Sequence, residues 1–255
     1  NRQVSCGHLS GHMTLQRAMG GFKEPRAPWN CMAFYCVFNR QASEKGKVLD
    51  IELIIVGTEV LSGMTADVNS RFMARVLRGQ GYAVQRITTV LDRERDLDHS
   101  LQEAYRRSDM VILSGGLGPT MDDITKEVVS KFFRRNLVKN EDVLIDLEKR
   151  FFRHEANQGQ SQIIDEAVFF KNEIGTAPGQ WIEQDGKVVV LLPGVPSELE
   201  QMFALQVLPY LKEQRPLKEV PFSVYLDFCL LQEVELDSEL SGMQRKYPDL
   251  IFGDR

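Results

Sequence analysis

The chain has 255 residues, 43% of them hydrophobic and 26% charged, and carries a net charge of −5. That is an ordinary soluble composition with enough apolar material for one sizeable core. The acidic balance argues against nucleic-acid binding through phosphate neutralisation, and no apolar stretch approaches the length of a membrane span.

Residues 1–47 differ from the rest. They are basic, with Arg2, Arg17, Lys23, Arg26, Arg40, Lys45 and Lys47 against Glu24 and Glu44, and they show no sustained period. An unstructured or non-native extension is expected there, with a transit-like leader as the other reading. Cys6, Cys31, Cys36 and Cys229 form no C-x-x-C pair. Cys31 and Cys36 with His8 and His12 do not match a common zinc spacing, so free thiols in a reducing cytoplasm are expected.

An organised domain is expected over 48–215. Leu49–Val56 is apolar and β-branched, as in a strand buried on both faces. The apolar spacing of Phe72, Met73, Val76 and Leu77 predicts a helix from about Asp67 to Arg78. A strand over Tyr82–Val90, a helix over Asp92–Arg107 and a strand over Asp109–Leu113 follow. This alternation is that of a parallel sheet with right-handed crossovers. Helices are expected over Asp122–Phe133 and Glu141–Ala156, then a short strand over Ala167–Lys171. A hairpin over Trp181–Leu192 should turn at Asp185-Gly186. A last helix opens at Pro196 and should kink or end early at Pro209. Residues 216–255 read as the start of a small α+β domain, cut short, with a strand at Ser223–Leu231, a helix at Ser238–Lys246 and another strand near Leu250–Phe252.

The chemistry concentrates after the third strand, in Ser114-Gly115-Gly116-Leu117-Gly118-Pro119-Thr120-Met121-Asp122-Asp123-Ile124-Thr125. It lacks the lysine of a Walker A loop and the third glycine of a dinucleotide fingerprint. It still sits at a strand C-terminus, where open α/β sheets bind ligands. Glycines let backbone N–H groups approach an anion. Carboxylates beside such a cradle would repel phosphate unless a divalent cation lay between. Thr120 to Asp123 also matches a capping box, which explains those two residues and leaves Gly115, Gly116 and Gly118 clustered without a reason. Pro193-Gly194-Val195-Pro196-Ser197-Glu198 is a second strand-to-helix passage, and by itself reads as helix-start chemistry. Gly57-Thr58-Glu59 ends the first strand. Asp92 follows the second and, alone, reads as an N-cap. Gly175-Thr176-Ala177-Pro178-Gly179 reads as a structural turn. His99 and His154 are expected to face solvent.

With these segments in order, the chain resembles the N-terminal domain of the CinA family, within the wider MoaB/Mog group of molybdopterin-binding-like folds. The likeness runs from about Ile51 to Leu211. It rests on Glu52 to Glu59, Asp67-Val68-Asn69-Ser70, the glycine segment with Asp122-Asp123 and Thr125, Gly175 to Gly179, and Pro193 to Glu198. The resemblance implies a three-layer α/β/α fold with a mostly parallel sheet. It implies a pocket for a nucleotide- or pterin-type phosphate, lined by Gly57, Thr58, Asn69, Ser114, Gly115, Gly116, Gly118, Thr120, Gly194, Pro196 and Ser197. It also implies a divalent metal ion (Mg, Mn or Co) at Asp123 and Asp92, with Glu59 assisting catalysis.

In CinA-type proteins this domain is associated with metal-dependent cleavage of the ADP-ribose pyrophosphate, so a metal-dependent pyrophosphatase is expected. The nicotinamide mononucleotide deamidase activity belongs to a separate C-terminal domain and is not expected here. The alternatives are a molybdopterin adenylyltransferase-like enzyme and a non-catalytic nucleotide- or pterin-binding module. The expected partner is a small-molecule phosphate ligand, not nucleic acid or membrane, with homo-oligomerisation left open.

Overall fold

The computed structural model describes residues 31–37, 49–151, 154–217, 224–229, 241–242, 244–246 and 251–253. The chain separates into two compact units, Asn39–Phe222 and a second formed by Asn1–Phe38 with Ser223–Arg255.

In chain order the elements are β1 (Cys31–Val37), β2 (Asp50–Val56), α1 (Thr58–Leu61), α2 (Asn69–Gly79), β3 (Ala83–Val90), α3 (Glu94–Arg107) and β4 (Met110–Ser114). Then come α4 (Thr125–Phe133), β5 (Leu137–Lys139), α5 (Glu141–Arg150), α6 (His154–Gln160), β6 (Gln162–Ile164), β7 (Val168–Phe170), β8 (Gly179–Gln184) and β9 (Lys187–Leu192). α7 (Pro196–Met202), a π-helical turn at Phe203–Val207, α8 (Leu208–Gln214), β10 (Val224–Cys229) and β11 (Ile251–Gly253) complete the order.

The larger unit is built on a six-stranded sheet in the order β3-β2-β4-β9-β8-β7. β3, β2, β4 and β9 are parallel. β8 returns antiparallel to β9, and β7 antiparallel to β8. The strands are apolar on both faces because helices cover both. Ile51, Leu53, Met110, Ile112, Val188 and Val190 face one way, packed with Met73 and Leu77 of α2 and with Leu199, Phe203 and Leu211. Ile54, Val56, Val111, Leu113, Val189 and Leu191 face the other, against Leu97 and Leu101 of α3 and Val129 and Phe133 of α4. The result is the expected three-layer α/β/α arrangement. One charge interrupts the apolar run. Glu52, 2% exposed, is held by Arg107 at 2.6 and 2.7 Å and by the Ser108 hydroxyl at 2.7 Å.

The hairpin turns at Asp185-Gly186 as expected, with φ of 53° and 76°, the left-handed pair a two-residue turn needs. Four local expectations change. The helix expected from Asp122 starts at Thr125, because the preceding residues stay in the loop. The helix expected over Glu141–Ala156 ends at Arg150, where Phe151 is extended, and a new helix starts at His154. β5 and β6 form an antiparallel ribbon over residues for which no element is expected. The kink or stop expected at Pro209 is replaced by the wider π turn just before it. Proline has no N–H for the carbonyl four residues back, and its ring crowds that carbonyl. A wider turn at that point relieves both problems.

In the second unit, β1 pairs antiparallel with β10, from Cys31↔Cys229 to Cys36↔Val224, and with β11 on its other edge. β1 falls inside the segment for which no regular structure is expected, and the β-prone run Met-Ala-Phe-Tyr-Cys-Val accounts for it. β10 and β11 coincide with the strands read at Ser223–Leu231 and Leu250–Phe252. The expected domain boundary at 47/48 lies outside the described residues, as do Cys6, His8 and His12.

Candidate functional site

Parallel strands end together, and side-chain and backbone bonds lock their ends into one rim. The Gly57 N–H donates to Val90 O at 3.1 Å, and the Gly115 N–H to Leu192 O at 3.0 Å. The Ser114 hydroxyl donates to Pro193 O at 3.2 Å. Asn69, buried at the start of α2, donates its amide to Ser114 Oγ at 3.0 Å and to Gly194 O at 2.7 Å. Because Gly194 O can only accept, the amide orientation is set. Asn69 Oδ1 is left buried with no partner among the described residues. Asp67 holds Asn69 in place by capping α2, accepting from the Ser70 N–H at 2.9 Å and from the Ser70 hydroxyl. Gly194 lies against the glycine loop, where a Cβ would be 3.3 Å from Gly115 Cα. The loop after β4 and the segment that opens α7 therefore share one cradle.

The glycine loop has a backbone that other residues would not adopt. Gly115 and Gly116 have φ of 107° and 66°. A Cβ on Gly115 would collide with Val56 O, and one on Gly116 with Thr125 Oγ1. Thr125, fully buried, ties the loop to α4. Its N–H donates to Gly116 O at 3.0 Å and its hydroxyl to Gly115 O at 2.9 Å. The N–H groups of Gly116, Leu117 and Gly118 donate to no acceptor among the described residues. Successive unpaired N–H groups in a tight loop form an anion-binding concavity, and leaving them without an acceptor is costly where Leu117 is only 2% exposed.

The carboxylates are placed as follows. Asp92 does not cap α3, whose first turn has no side-chain cap. Instead Asp92 Oδ2 accepts from the Thr58 N–H at 2.7 Å and the Thr58 hydroxyl at 2.9 Å, joining the ends of β2 and β3. Glu59 folds its carboxylate back over Gly57. Asp123 Oδ2 accepts from the Thr120 N–H at 2.9 Å and from the Thr120 hydroxyl, so that part of the capping box forms, but inside the loop and ahead of the helix. Asp92 Oδ1 and Asp123 Oδ1 accept no hydrogen bond among the described residues. Among the described residues no three His, Cys, Asp or Glu side chains gather as a metal cage. The donor set fits a hard cation that takes one or two carboxylates and fills its remaining positions with phosphate oxygens and water. Pro196 and Ser197 stand exposed at the start of α7, on the same rim.

Two residues that sequence reasoning passed over matter here. Lys126, directly after Thr125, is 4% exposed and donates to Gly159 O at 3.1 Å. Burial pushes its ammonium below the usual lysine range, against the pull of Glu127 and Asp123. Asn172 organises the 175–179 turn. Its Oδ1 accepts from the N–H groups of Ile174 and Gly175 at 3.1 and 2.7 Å, and its amide donates to Ala177 O at 2.9 Å and to Glu198 at 2.7 Å. The turn is thus fastened to the first turn of α7, which spacing alone does not reveal. His99 is exposed as expected, and the side chain of His154 lies outside the described residues.

Residues 52–213 match the family described as "Probable molybdopterin binding domain". Among curated proteins, the CinA-like protein of Dictyoglomus turgidum is 39% identical over 205 residues, covering 78% of this chain and 48% of that protein. The CinA-like protein of Solibacter usitatus is 37% identical over 204 residues, covering 78% and 49%. The chain spans about half the length of the curated relatives it matches. Among solved structures, CinA of Thermoplasma acidophilum is 32% identical with a TM-score of 0.59, covering 66% of this chain and 98% of that one. No helix among the described residues is long and apolar enough to cross a membrane.

Proposed function

Because the chain belongs to the molybdopterin-binding-domain family, in its CinA-type branch, we propose that it is a metal-dependent hydrolase of a nucleotide diphosphate of the ADP-ribose type. The observation that carries this reading is the row of N–H groups at Gly116, Leu117 and Gly118 that meet no acceptor among the described residues, in a loop whose glycines admit no side chain. Such a cradle takes a phosphate without a lysine. The Gly194–Ser197 segment lies against it and gives a second phosphate a place on the same rim.

Asp123 and Asp92 would share the cation with the phosphates, and the ion, when bound, supplies charge neutralisation and a more acidic water. The chain's own residues do the positioning. Thr120 orients Asp123, Thr58 orients Asp92, and Asn69 with Ser114 sets the spacing of the two loops. The buried, unpartnered Asn69 Oδ1 is an acceptor, so it suits a ligand hydroxyl or water and not a phosphate oxygen.

The test is AMP release from ADP-ribose with Mg, Mn and Co. Asp123→Ala is expected to lower turnover at least about 100-fold while leaving the melting temperature near that of the parent. Unchanged turnover would remove Asp123 from the reaction. Adenylyl transfer from ATP to a pterin phosphate, or tight binding with no turnover under any of the ions, would replace the hydrolase reading.

A further inference from the structure

We propose that the outer face of α3 is an interface on which a second copy of this chain docks about a two-fold axis. α3 and the end of α4 line a surface groove of 600 Å³. Small-molecule pockets are lined mainly by apolar groups. Here only Tyr105 and Phe132 supply apolar surface, and the rest of the lining is charged or polar. That chemistry suits another protein surface better than a small ligand.

The order of charges along α3 selects the partner. Glu94, Asp98, Gln102 and Arg106 recur every four residues, so they form one ridge along the helix. The ridge is about 18 Å long. It runs from two carboxylates through an amide to a guanidinium. A second α3 laid antiparallel, ridge beside ridge, puts Glu94 of each copy opposite Arg106 of the other, and Asp98 of each opposite Gln102 of the other. Helices commonly meet through ridges of this four-residue kind. Each pairing occurs twice, from one and the same surface, as a two-fold interface requires.

The bonds these residues already make do not oppose docking. Glu94 pairs with Lys131 at 2.6 Å, Arg106 with Glu103 at 3.1 Å, and Gln102 donates to Asp98 at 2.7 Å. The side chains of Glu94 and Arg106 are 61% and 72% exposed. Surface pairs of that kind contribute little, so they cost little to open or to share. The middle of the groove is preformed. Tyr105 meets Phe132 edge-on with ring centres 5.1 Å apart, and its hydroxyl donates to Gln184 O at 2.8 Å. Aromatic groups within a charged rim are the usual make-up of a protein interface. The contact is small and its charges stay near water, so association in the micromolar range is expected.

Sedimentation velocity of the full chain, from low to high micromolar concentration, tests this. The parent should pass from monomer to dimer, and added salt should weaken the dimer. Glu94→Arg and Arg106→Glu each set like charges against one another at both ends of the paired ridges. Each should weaken the dimer at least about tenfold. Both changes in one chain exchange the charges and should restore it. A 1:1 mixture of the two single variants should restore it too, as a heterodimer, because only unlike copies then match. Gln102→Lys, which sets a cation opposite Asp98 of the other copy, should tighten the dimer, a gain that misfolding cannot produce. The proposal is overturned if the parent stays monomeric, if either single reversal dimerises like the parent, if the 1:1 mixture stays monomeric, or if Gln102→Lys brings no gain. None of these readings depends on ADP-ribose cleavage, so the hydrolase reading stands or falls separately.

Discussion

Gly116 shows how much one missing atom decides. Its φ of 66° and the Thr125 hydroxyl in the place of a Cβ leave room for hydrogen only. Gly116→Ala should cost about 1–3 kcal/mol in stability, read by urea unfolding, and should weaken AMP binding as the loop and the N–H groups it presents are displaced. A fully stable variant with normal binding would mean that the loop is not held as described. Glu52 makes a different point. Burial alone would raise its carboxyl, but the Arg107 and Ser108 hydrogen bonds and the Arg107 charge outweigh that and hold it below the ordinary value of 4.5. A carboxyl lowered in the folded state adds stability above its unfolded value, and that stability is lost as pH falls through the folded one. The parent should therefore lose stability below about pH 4.5. Arg107→Met, which leaves the buried Glu52 charge without its ion-pair partner and held only by the Ser108 hydroxyl, should cost about 3 kcal/mol at neutral pH. Melting curves from pH 3 to 7 would check both, and an acid limb identical in the two proteins would contradict the pairing.

At the scale of elements, the caps and turns control where the site residues stand. Asp67 is not itself at the phosphate cradle, yet its cap starts α2 at the register that delivers Asn69 to Ser114 and Gly194. Asp67→Ala should lower stability by about 1 kcal/mol, measured by denaturant unfolding. The larger effect is expected on ligand affinity, because Asn69 loses its fixed approach. The Asp185-Gly186 turn was readable because one dipeptide sets its own left-handed geometry. The break after Arg150 and the π turn before Pro209 were not readable. Each depends on tertiary packing, with Leu147 in the one helix and Phe203 and Val207 in the other buried.

For the whole molecule, the two compact units predict a division of labour. All proposed ligand-binding residues lie in Asn39–Phe222. A chain trimmed to residues 49–217 should unfold in one cooperative transition and keep AMP binding within about threefold of the full chain. Calorimetry would check this, and a trimmed chain that fails to melt cooperatively would show that its core depends on the remainder. The three-stranded sheet lies wholly outside that trimmed chain, since β1, β10 and β11 all fall beyond residues 49–217.

The amino-acid sequence by itself determined the alternation of buried strands and amphipathic helices, the hairpin turn and the glycine segment, because each depends on local periodicity or on backbone conformations open to few residue types. It also supplied the several ordered motifs that carry the family resemblance. Only the tertiary structure decided which of the polar residues serve one site. Asp92, a plausible cap in sequence, turns to Thr58; Thr120 and Asp123 pair inside a loop; Asn69 bridges two strand ends; and Asn172 fastens a distant turn to α7. Those bonds join residues up to 125 positions apart. Their partners are set by sheet order and strand register, which a local pattern does not encode.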